Sequence, residues 1–149
     1  MASKMRFTEA MLKRNPNLSR FPHYYNIEKA VGANCPNLRD DVMLVQFMLK
    51  LWVQSRDSGF VIDPPLWDVA LHGKLDNPTL AFLILFQVRN SSVGKSDGRF
   101  DPLTLDHMDG ATSSLASLNL YLWANKFDVF KDFSVAPGLP GPLVPLLKK

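Results

Sequence analysis

Three apolar runs dominate the chain. The first, Val42 to Val53, is apolar on nearly every helical face, broken only by Gln46 and Lys50, whose i, i+4 spacing makes a thin polar stripe. Asp40 and Asp41 stand just before it, where carboxylates meet the unpaired N–H groups and positive end of a helix. This pattern predicts a central helix. The second run begins at Asn77-Pro78, with Asn suited to the N-cap and Pro to the first helical position, and continues to Arg89. A third helix is predicted from Ser113 or Ser114 through Leu115, Leu118 and Leu122 towards Lys126.

The connections read differently. Residues 54 to 72, with Asp63-Pro64-Pro65-Leu66-Trp67, predict a surface excursion, residues 90 to 98 a polar turn region, and Asp101-Pro102 the start of a short helix. Before residue 31, Asn15-Pro16-Asn17 and Phe21-Pro22 break any long helix, leaving an arm with one short helix over 7 to 14. After residue 126, Pro137, Pro140, Pro142 and Pro145 argue against helix and for extended or polyproline II chain. The Pro142-Leu-Val-Pro145 spacing is that of a docking peptide for a protein partner. The expected fold is therefore all-α, a compact three-helix bundle at 31–126 with an additional C-terminal helix, flanked by a basic arm at 1–30 and a Pro-rich tail at 127–149.

Composition narrows the function classes. With 149 residues, 46% hydrophobic and 21% charged, the chain has the make-up of one globular domain. Residues 1–31 hold six basic side chains against two acidic ones, a net of +4, while the whole chain carries only +3. That total is too small for a dedicated nucleic-acid binder, and a solvated face accounts for the basic arm. The single cysteine, Cys35, excludes an intrachain disulfide. No apolar stretch has the length of a membrane span, and the first residues lack the apolar segment of a signal peptide. The expectation is synthesis in the cytoplasm without a cleaved leader, with any action at the periplasm or cell wall reached by non-classical export.

The turns before the second helix and after it repeat one another. Gly73-Lys74-Leu75-Asp76-Asn77-Pro78-Thr79-Leu80 and Gly98-Arg99-Phe100-Asp101-Pro102-Leu103-Thr104-Leu105 share glycine, a basic residue, an apolar residue, Asp, then Thr and Leu in one order. Glycine supplies a positive φ, the apolar residue plugs the core, and Asp and Thr cap the helix that follows. Together with Val42-x-x-Val45-Gln46-x-x-Leu49 and Phe86-Gln87, this order resembles the peptidoglycan-binding-domain-like family over roughly residues 31 to 124. Leu71-His72 stands where that pattern has Asp before the glycine, and Asp76 and Asp101 replace a second glycine in each turn. The resemblance implies a helical, non-catalytic module that binds peptidoglycan. The alternative is a structural or adaptor protein that uses the same fold for protein contacts in a secretion system or phage assembly, through its apolar helices or its Pro-rich tail.

No catalytic constellation is legible. His23, His72 and His107 are isolated, without metal-ligand spacing, and Cys35 and Ser113-Ser114 have no nucleophile context. No Gly-rich phosphate loop or cofactor motif occurs. Glycans are bound by stacking on flat rings beside hydrogen-bonding groups, so the candidate ligand-binding residues are Asp63, Trp67, His72 and Lys74, in and after the loop with the proline pair. Trp52 and Trp123 lie in apolar helices and are read as core.

Overall fold

A computed structural model of the chain describes residues 1–55, 69–90, 96–104 and 113–148. The first strand, β1 (Ser3–Met5), pairs antiparallel with β2 (Tyr24–Asn26) in the register Lys4 to Tyr25. Between them lies α1 (Glu9–Arg14), which Thr8 caps by accepting a hydrogen bond from the Met11 N–H, followed by a 3₁₀ turn over Pro16–Arg20. A second short ladder joins β3 (Val31–Gly32) to β4 (Arg99–Phe100).

The helix α2 (Arg39–Gln54) is central, as its all-round apolar sequence predicts: Val42, Leu44, Val45, Met48 and Leu49 are completely buried. The next helix, α3 (Asn77–Arg89), is capped by Asp76 and not by Asn77, which is its first helical residue. It buries Phe82, Leu83 and Phe86 but leaves Ile84 and Val88 exposed. The third, α4 (Ser114–Asn125), is capped by Ser113.

The expected all-α three-helix bundle is not what forms. Six helices and two two-stranded antiparallel sheets make a mixed α/β fold among the described residues, the last two helices being α5 (Phe127–Phe130) and α6 (Val144–Leu147). The strands escape a search for periodicity because each is only two or three residues long, too short for an alternating pattern. No helix starts at Asp101-Pro102, since residues 101–104 are irregular. Among the described residues, no helix is long and apolar enough to cross a membrane.

The Pro-rich tail also departs from expectation. It forms α5, a 3₁₀ turn over Phe133–Val135, another over Gly141–Leu143, and α6. Pro142 and Pro145 fall in the first positions of the last two, where proline loses no hydrogen bond because the N–H there has no intrahelical partner. Phe130, Phe133, Leu143 and Leu147 are buried, so the tail completes the core. The N-terminal arm does likewise through Met11, Leu18, Tyr24 and Tyr25. Arm and tail meet directly. The Tyr25 ring stacks on Phe133 at 3.8 Å, and its hydroxyl donates to the Phe130 carbonyl at 3.0 Å and accepts from the Phe133 N–H at 2.8 Å. His23 donates from Nε2 to the same carbonyl at 3.0 Å.

With so little sheet, irregular backbone must find other partners. Asparagine carboxamides supply them, each pairing with both the N–H and the C=O of one residue as a neighbouring strand would. Asn119 of α4 binds Tyr25, accepting at 2.8 Å and donating at 2.9 Å. Asn26 binds Leu103 at 2.7 and 3.1 Å. Asn37 binds Gly32 at 2.8 and 2.9 Å.

Candidate functional site

The two similar turns are built by one device. Gln46, fully buried on α2, accepts from the Gly73 N–H at 3.0 Å and donates to the Lys74 carbonyl and the Thr79 hydroxyl, both at 3.0 Å. Gln87, buried on α3, accepts from the Gly98 N–H at 2.8 Å and donates to the Arg99 carbonyl at 2.9 Å and the Ser114 hydroxyl at 3.0 Å. Each helix thus holds a later glycine turn, the first of which leads straight into α3. Both glycines have positive φ, 78° and 70°. Gly73 is also tightly enclosed, since a Cβ there would come within 2.8 Å of the Arg39 carbonyl oxygen.

The two turns differ in one partner. Thr104 lies as far beyond Gly98 as Thr79 lies beyond Gly73, yet the hydroxyl that meets Gln87 belongs to Ser114. The second turn leads into a longer connection, so the equivalent hydroxyl arrives later in the chain. Gln46, one half of the thin polar stripe, is a fully buried clamp.

His72 takes the place of an aspartate. At the second turn, Asp97 Oδ1 accepts from the Arg99 N–H two residues on, at 3.1 Å. At the first, His72 Nδ1 accepts from the Lys74 N–H at 3.0 Å. An accepting Nδ1 carries a lone pair, which puts the ring proton on Nε2, 2.9 Å from Asp76 Oδ2. The other carboxylate oxygen of Asp76 caps α3, accepting from the Thr79 N–H at 2.8 Å and from its hydroxyl. Partial burial alone would raise the Asp76 carboxyl. Hydrogen bonds from Thr79 and His72 outweigh it and hold the group below the usual carboxylate range.

Of the candidate ligand-binding residues, the structure brings His72 and Lys74 together on the Gly73 turn, both exposed. Asp63 and Trp67 lie outside the described residues. Both nitrogens of His72 are hydrogen-bonded, so the imidazole orients the turn and has no lone pair free to accept a proton from a substrate. Thr79 is fully buried. The Lys74 ammonium is therefore the group that this turn offers outward, on a backbone fixed at its N–H and its carbonyl. Among the described residues, no group of three His, Cys, Asp or Glu side chains could hold a metal ion.

Sequence reasoning placed Gln46 in a thin polar stripe with Lys50 and passed over Gln46, Gln87 and Asn119 as clamps. The available signal was a lone carboxamide in each apolar run, because a buried amide must be hydrogen-bonded. Trp52 is core as expected, and Trp123 is half-buried between Phe21 and Phe127. Comparison with family models, curated proteins and solved structures finds no match to this chain.

Proposed function

We propose that the chain is a non-catalytic binding module that recognises peptidoglycan on the face around the Gly73 turn. The observation that carries this reading is the paired Gln–Gly turn, the feature on which the resemblance to the peptidoglycan-binding-domain-like family rests. It leaves the Lys74 cation exposed on a fixed backbone, suited to the carboxylates of wall peptides. Asp63 and Trp67 enter this proposal from the sequence alone, Trp67 as a ring for sugar stacking. Sedimentation with purified sacculi tests it. Wild-type chain should be retained, and Lys74→Ala and Trp67→Ala, each checked for native circular dichroism, should be retained less. Failure of the wild type to co-sediment, or equal retention of both variants, overturns it.

A second reading, an adaptor in a secretion system or phage assembly, is favoured by one observation. The outer side of α3 presents Ile84 and Val88 four residues apart, 38% and 63% exposed, more apolar surface than a solvated helix needs. Light scattering separates the two: a stable oligomer that ignores sacculi supports the adaptor, and a monomer that binds them supports the wall module.

A further inference from the structure

Gly73 is closed in by one side of α2. Arg39, Met43 and Gln46 stand at i, i+4 and i+7 on that helix, a spacing that sets them in line along a single face. Gln46 grips the Gly73 N–H and the Lys74 carbonyl. A Cβ at Gly73 would lie 3.2 Å from Met43 Cε and 2.6 Å from Arg39 Cγ. The aliphatic stem of Arg39 therefore crosses the bare side of Gly73, in space that any side chain there would fill. Glycine at this position serves two ends, the positive φ of the turn and the seat of the arginine stem.

Two cations consequently leave the protein beside one glycine. Arg39 and Lys74 are both exposed, the first braced by its stem against Gly73, the second on a backbone held at its N–H and its carbonyl. Among the described residues, no carboxylate pairs with either. Asp76 spends one oxygen on Thr79 and the other on His72, and Asp40, next to Arg39 in the chain, pairs with neither cation. Arg39 and Lys74 against Asp40 and Asp76 leave no net formal charge around the turn, so it has no field to collect a polyanion. What both cationic heads stand to gain from is a single carboxylate within reach of the two.

We infer that Arg39 and Lys74 together grip one free carboxylate of the wall's peptide stems, the guanidinium as a two-pronged donor and the ammonium as a point charge. The inference rests on the peptidoglycan reading above and adds to it the group recognised and a residue, Arg39, that reads it. A guanidinium matches a carboxylate in bidentate geometry, and such charge-assisted pairs are stronger than neutral hydrogen bonds. Part of the ordering cost is met before the ligand arrives, because the Arg39 stem is already seated and the Lys74 backbone already fixed.

The test titrates the full chain calorimetrically with a soluble disaccharide-tripeptide whose stem carboxylates are free, and with the same compound after those carboxylates are amidated. Wild type should bind the free acid about tenfold more tightly than the amide, the value of one charge-assisted pair. Arg39→Ala and Lys74→Ala, each with native circular dichroism, should lose most of that preference while binding the amide as wild type does. Arg39→Lys, which keeps the charge and loses the fork, should keep only part of it. Equal affinity of the wild type for acid and amide, absence of binding to both included, overturns the clamp, as does an undiminished preference in Arg39→Ala. In either case, retention of the wild type by sacculi leaves the wall reading standing without the clamp. A wild type that binds neither compound and is not retained by sacculi overturns the wall reading and the clamp with it.

Discussion

Replacing Gln46 by methionine tests whether a buried carboxamide is what fixes the Gly73 turn. The side chains are similar in length, so the substitution removes polar contacts with little change in volume. Three hydrogen bonds are lost, to the Gly73 N–H, the Lys74 carbonyl and the Thr79 hydroxyl. At about 1 kcal/mol each the loss is about 3 kcal/mol, and added burial of the apolar tip returns about 1 kcal/mol. The net expectation is a destabilisation of about 2 kcal/mol, which for a domain of this size lowers Tm by roughly 6 °C. Urea unfolding followed by circular dichroism gives the free energy, and hydrogen exchange gives its location. The Gly73 amide should exchange far faster in the variant, while the Gly98 amide, held by Gln87, keeps its protection. A loss below about 0.5 kcal/mol, or unchanged protection at Gly73, refutes the clamp, because a turn that stands without Gln46 owes its geometry to something else.

Three further outcomes follow from the same geometry. Gly73→Ala should destabilise by at least about 3 kcal/mol, because its Cβ meets the Arg39 backbone. Gly98→Ala should cost only about 1 kcal/mol, because its Cβ meets the tips of Leu80 and Ile84 at 3.3 Å or more; thermal melts should rank them so. Leu147→Ala, which opens a cavity under the folded tail, should cost about 3 kcal/mol by urea unfolding, where a loose tail would cost nothing. Burial lowers His23 below its ordinary value, against the pull of the Phe130 carbonyl, with Lys4 adding to the lowering and Asp132 opposing it. The folded chain then binds fewer protons than the unfolded one, so the His23 contribution is present above about pH 6.5 and is lost as pH falls below it. The stability difference between wild type and His23→Gln, measured from pH 7 to pH 5, should shrink accordingly, and an unchanged difference would count against the buried neutral imidazole.

Legibility in the sequence followed the range of the interactions involved. The cap of α4 by Ser113 and the positive φ at Gly73 and Gly98 arise within a few residues, and the local pattern specifies them. The cap of α3 was misplaced by one residue, to Asn77, because Asp, Asn and Pro in succession offer two acceptable starts. Of the candidate residues, the sequence placed His72 and Lys74 beside the glycine of one turn, where the structure also has them. It did not disclose that His72 stands in for an aspartate, which depends on the ring nitrogen reaching the Lys74 N–H.

What the sequence determined by itself is therefore the three long helices and the two glycine turns, because periodicity and capping are properties of neighbouring residues. The tertiary structure alone decided the mixed fold and the folding of the tail. Tyr25 meets Asn119 across 94 positions and the Phe133 backbone across 108. No local pattern encodes a partner at that separation. Pro142 and Pro145 read as helix breakers until the buried faces of Leu143 and Leu147 place them at helix starts, where proline costs nothing.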